Sequence, residues 1–133
     1  MVDCENPIFD QIATVVRAKY EGVLVSGEYS ATQASFPAVT IVEMDNSVYE
    51  KMSTNTIENY ASLVYQCDVY SNKIGYKKQE ARDIMKTIDQ EFAKMGFTRT
   101  MCNPMPNLQD STIFRLTARY EAVVSQDLWV YTE

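Results

Sequence analysis

An α+β fold, with a single mostly antiparallel sheet and two helices packed on one face, is predicted by three features of this sequence. Residues 111–125, STIFRLTARYEAVVS, alternate. Phe114, Leu116, Ala118, Tyr120, Ala122 and Val124 fall on one side, and Arg115, Thr117, Arg119, Glu121 and Val123 on the other. A period of two marks a half-buried strand. Ala81, Ile84, Met85, Ile88, Phe92 and Met95 recur instead at helical spacing and form an apolar stripe. The length of 133 residues and hydrophobic content of 46% suit one domain, 1–133, with one core.

The elements follow in order. Asn6 and Pro7 suit a helix start, Asn as a cap and Pro at the first helical position. Ile8, Ile12, Val15 and Val16 continue that helix to Gly22, predicting it near 6–21. VLVSG reads as a short strand, EYSATQAS (28–35) as a polar loop, and AVTIVEM after Pro37 as a β-branched strand. DNSVYEKMSTNT (45–56) is polar and turn-like. In NYASLVYQCDVYS, Ala61, Leu63, Tyr65, Cys67 and Val69 are expected to face the core. The second helix, near 76–95, ends at Gly96, which accepts the left-handed cap conformation. FTRTMC is then a strand, NPMPNLQD a turn-rich loop, and LWVYTE a short terminal strand after the long one. The order is α-β-β-β-α-β-β plus that terminal strand.

Composition narrows the function. A net charge of -6 argues against binding a nucleic-acid backbone by bulk electrostatics. The chain has no histidine, which removes the commonest general base, and no glycine-rich phosphate loop. Cys4, Cys67 and Cys102 lack metal-ligand spacing and are expected to be unpaired thiols in a reducing cytoplasm. No signal peptide or membrane span is expected. An enzyme is the least favoured class, and neither a metal nor a cofactor is expected.

Several residues invite a role. Glu43 and Asp45 are expected on one face of the second strand, as solvated edge charges or a carboxylate pair. Lys73, Lys77, Lys78 and Arg82 bunch at the start of the second helix. Cations there oppose the macrodipole by about 0.3–1 kcal/mol each, which an acidic partner would explain. Arg115, Arg119 and Glu121 occupy the polar face of the long strand, as decoration or as a partner contact. If they are a contact, replacing both arginines is expected to spare folding. Trp129 belongs either to the core or to an interface. Met101, Met105 and Leu108 either tuck under their hairpin or offer an apolar contact.

From Asn59 onward the chain resembles the tail-completion (tail-terminator) proteins of long-tailed bacteriophages. The resemblance rests on NYASLVYQCDVYS, then EARDIMKTIDQEFAKMGF with Arg99 just beyond, then NPMPNLQDST, then FRLTARYEAVV. FPAVTIVEMDN agrees in outline with that family's first strands. The resemblance implies a structural virion protein that assembles in the bacterial cytoplasm as a homo-oligomeric ring, usually a hexamer. Such a ring sits at the head-proximal end of the tail tube, ends its growth and joins tail to head. Its partners are tail-tube and head-neck proteins, and DNA passes through it without sequence-specific binding. Lys73, Lys77, Lys78, Arg115, Arg119, Glu121 and Trp129 are then candidate interface residues, with the lysines set against an acidic segment such as Glu43 and Asp45. Loops 28–35 and 45–56 are expected to order on assembly. Other readings are a head-side neck connector, a tail-tube subunit, or a ferredoxin-like ligand-binding regulatory domain. The last predicts a strand-helix-strand duplication that this element order lacks.

Overall fold

The computed structural model of the chain describes residues 3, 5–28, 35–48, 60–106 and 112–125. Within them lie helices α1 (Glu5–Lys19) and α2 (Lys77–Lys94) and strands β1 (Leu24–Ser26), β2 (Ala38–Val48), β3 (Tyr60–Ser71), β4 (Thr98–Met105) and β5 (Phe114–Ser125). The strands form one sheet in the order β1-β2-β3-β5-β4. All neighbours are antiparallel except β1 and β2, which run parallel. The predicted α+β class is the observed one. The expected terminal strand LWVYTE lies outside the described residues.

Alternation settles which side of the sheet the helices cover. Ala61, Leu63, Tyr65, Cys67 and Val69 of β3 are all buried. Register places them beside Val124, Ala122, Tyr120, Ala118 and Leu116 of β5. The helix stripe closes over this surface with Ala81, Ile84, Met85, Ile88 and Phe92, and α1 adds Ile8, Ile12 and Val16. The aromatic centre is tight: Phe92 stacks on Tyr120 at 4.2 Å, and Phe97 meets Phe92 edge-on at 5.2 Å. Polar contacts link the helices. Gln11 Nε2 donates to Glu91 Oε1 at 3.1 Å, and Lys19 Nζ donates to Thr87 Oγ1 at 3.1 Å.

The helix ends follow local chemistry, with one correction. α1 begins at Glu5, whose amide donates to Asp3 Oδ1 at 3.4 Å, so Asn6 is inside the first turn and does not cap it. Pro7 costs nothing there, because the first amides of a helix have no intrahelical partner. α2 ends as expected at Gly96, with φ 87°. The Phe97 amide reaches the Phe92 carbonyl at 2.9 Å and the Gly96 amide reaches the Ala93 carbonyl at 3.0 Å. That pair of bonds, with Phe97 packed on Phe92, is a Schellman stop.

Three strand readings also change. β2 runs on to Val48, so the segment 45–48 is strand; 49–56 lies outside the described residues. β4 continues through Asn103, Pro104 and Met105, which sequence assigned to a loop. Among the described residues β4 pairs with β5 alone, and such an edge position tolerates the proline that an inner strand would exclude. The third change is a bulge between Glu43 and Asp45, so that Glu43 pairs with Tyr65 but Asp45 with Val64. The extra residue puts the two carboxylates on opposite faces of the sheet, not on one.

Candidate functional site

The sheet face opposite the helices carries β5's polar residues, and cross-strand register builds a ladder there. Thr40, Asp68, Thr117 and Asn103 form one row; Ala38, Tyr70, Arg115 and Met105 form the next; Val42, Gln66, Arg119 and Met101 form the third. This face is not simply left open, as expected from the absence of a helix. Thr40, Asp68, Tyr70 and Thr117 are all buried.

Asp68 is the hub. Its Oδ1 accepts from Arg115 Nε at 2.9 Å and from the Thr117 hydroxyl, and its Oδ2 accepts from Gln66 Nε2 at 3.1 Å. Gln66 Oε1 in turn accepts from Arg119 Nε at 3.0 Å. The Arg115 guanidinium also lies 5.6 Å from the Tyr70 ring centre. A carboxylate 2% exposed requires such partners, because an unpaired buried charge is strongly destabilising. Arg115 is therefore an internal strut, and the expectation that it matters only to association is corrected. Arg119 and Glu121 are exposed. Sequence reading alone does not single out Asp68; the signal is an acid inside a strand whose register partner, Thr117, stands between Arg115 and Arg119 on β5.

The lysines gather at one end of the sheet. Lys73 lies in a turn before α2, its ammonium 5.6 Å from the Tyr76 ring, while Lys77 and Lys78 open the helix. Tyr76 occupies the cap position without a side-chain cap bond. Lys77 Nζ donates to the Thr112 carbonyl at 3.4 Å, tying the helix start to the entry of β5. Glu80 offsets the first-turn cations and accepts from Ser71 Oγ at 2.7 Å. Lys78, Arg82 and Lys86 line a cleft of about 600 Å³ with Tyr76 and Asp83. Trp129 and Leu108 lie outside the described residues.

Acidic groups gather elsewhere. Glu5 and Glu28 border a cleft of about 430 Å³ floored by Phe9, Val25, Ile41 and Tyr65. Glu43 accepts from the Tyr65 hydroxyl at 3.2 Å. Burial raises the Glu43 pKa; the tyrosine bond opposes this, and repulsion from Glu5, Asp3 and Asp45 adds to it. Cys67 is a buried free thiol whose pKa burial pushes up, with the neighbouring Asp68 charge adding; Cys102 is free and exposed. Cys4 lies outside the described residues. Among the described residues, no group of three His, Cys, Asp or Glu side chains is placed to hold a metal ion, and no helix is long and apolar enough to cross a membrane. The chain matches no family model, and no curated protein matches it.

Proposed function

We propose that this chain is a phage or prophage tail-terminator subunit, assembling as a ring at the head-proximal end of the tail tube, ending tube growth and joining tail to head. One observation carries the reading. Three of the four segments with the tail-completion resemblance become β3, α2 and β5, and the remaining one, NPMPNLQDST, contributes 103–105 to the end of β4, its 107–111 lying outside the described residues. β3, β5 and β4 are neighbouring strands, and α2 packs in the same core. The resembling pattern thus corresponds to a coherent piece of tertiary structure and is not scattered over the molecule. A lysine cluster at the start of α2 and an acidic border on the cleft between α1 and β1 support it further, because a cyclic ring requires two unlike patches on each subunit. The ferredoxin-like alternative lacks support from the element order, which among the described residues contains no duplicated strand-helix-strand unit.

The test combines native mass spectrometry with electron microscopy of the purified protein, alone and with the matching tail-tube protein. The expected result is a closed ring with a central hole, six subunits or a multiple, that caps tubes and halts their elongation. Tubes that grow to unregulated length in its presence would remove the tail-terminator role.

A further inference from the structure

Ile74 is 96% exposed and Tyr76 60% exposed, on either side of Gly75 in an otherwise polar segment. Single exposed apolar residues are ordinary. This one is held out by a defined turn, however. The Tyr76 amide donates to the Lys73 carbonyl at 3.0 Å, and Gly75 adopts φ 79°. A glycine in the left-handed region at the third turn position leaves Ile74 at the tip. A Cβ on Gly75 would meet nothing within 4 Å, so the glycine is there for its backbone and not for space. Lys73, Lys77 and Lys78 flank the tip. The result is an apolar knob set among cations.

The cleft between α1 and β1 is its chemical complement. Its floor is apolar, from Phe9, Val25, Ile41 and Tyr65, and its border is acidic, from Glu5 and Glu28. Glu5, Asp3 and Asp45 are each close enough to Glu43 to repel its charge. Arg17 partly offsets this charge, since its guanidinium is 6.0 Å from the Phe9 ring and donates to the Val25 carbonyl at 3.3 Å.

The two features cannot meet within one molecule. β3 ends beside Ala38, the first residue of β2, so the turn lies at the end of the sheet where β1 and β2 begin. The cleft lies where β1 ends, at the start of α1. We infer that the Ile74 turn of one copy of this chain docks in the α1–β1 cleft of the next. This rests on the ring reading above, and names the two unlike patches which that reading requires. Glu5 and Glu28 replace the acidic pair Glu43 and Asp45, which the β2 bulge divides between two faces.

Charge reversal tests the pairing. One variant carries Lys73→Glu with Lys78→Glu, the other Glu5→Lys with Glu28→Lys; association is read by sedimentation velocity in low salt, with thermal melts as folding controls. Each variant alone is expected to associate at least about 100-fold more weakly than the parent, because like charges face each other. An equimolar mixture is expected to associate again, since each reversed patch then meets a reversed partner. Ile74→Ala, at an exposed position that folding does not use, is expected to weaken association about 10-fold. If both reversed variants assemble like the parent, the patches are wrong although rings still form. If the mixture fails to associate while both variants stay folded, the pairing is wrong. A parent chain that remains monomeric at millimolar concentration overturns the inference and removes the ring in solution with it. Ile74→Asp serves as the second probe if a reversed variant melts early; parent-like association of that variant also overturns the inference.

Discussion

Arg115 and Arg119 stand on the same face of β5 and do different work. The Arg115 side chain is 21% exposed and neutralises a carboxylate buried beneath it, whereas Arg119 is exposed and bonds an amide. Arg115→Ala leaves Asp68 without its cation and is expected to cost about 3 kcal/mol. Arg119→Ala is expected to fall within about 0.5 kcal/mol of the parent. Chemical denaturation of the two variants separates them, and equal midpoints would show that the Asp68 pair contributes nothing. Thr117→Val removes a neutral donor to the same oxygen and should cost about 1 kcal/mol.

Helix α2 is held at both ends and along its length. Gly96→Ala forces a side chain into the left-handed region and should lose about 1 kcal/mol of stability, read as a lower melting temperature. The helix also carries the clearest acid sensitivity. Bonds from Lys94 at 2.9 Å and Gln11 at 3.1 Å hold Glu91 below its usual value of 4.5, against a smaller opposing effect of burial. A depressed folded pKa adds stability that is present above the unfolded value and lost as pH falls through the folded one. Glu91→Gln should therefore be less stable than the parent by about 1 kcal/mol at pH 7, since its lysine partner is largely exposed, and converge with it as pH falls through the folded value. Glu43 works the other way. Its raised pKa means that its ionisation in the folded state is disfavoured, so its contribution is lost as pH rises through the folded value. A gap between Glu91→Gln and parent that stays constant as the solution is acidified from pH 7 to the point of acid unfolding would remove Glu91 from the acid response.

The whole molecule is acidic and carries one cluster of cations at the start of α2, and that distribution has two consequences. If subunits associate through unlike charged patches, added salt should weaken association, because exposed charges are screened beyond about 10 Å at 0.1 M. Sedimentation at rising ionic strength measures this, and an unchanged association constant would place the contact on apolar surface alone. A pore through which DNA slides should also not retain it. With a net charge of -6, the protein is expected to leave duplex DNA mobility unchanged in a gel at about 0.15 M salt. A stable shifted band would contradict a passive channel.

Periodicity by itself determined the α+β class, both helices to within about two residues and the core faces of β3 and β5, because side-chain spacing directly reports which face is buried. Gly96 likewise marked its helix stop, since the conformation there is one that glycine adopts without strain. The clustering of Lys73, Lys77 and Lys78 was legible for the same local reason: all three lie within one turn and the helix start. What only the tertiary structure decided depends on partners distant in sequence. The bulge that splits Glu43 from Asp45 exists in the pairing of β2 with β3, not in either segment. Pro104 lies in a strand because, among the described residues, β4 is bonded on one side. Asp68 and Arg115 are 47 positions apart, and only strand register makes one the counter-ion of the other. The acidic cleft draws on α1, β1, β2 and β3 together, so no stretch of sequence contains it.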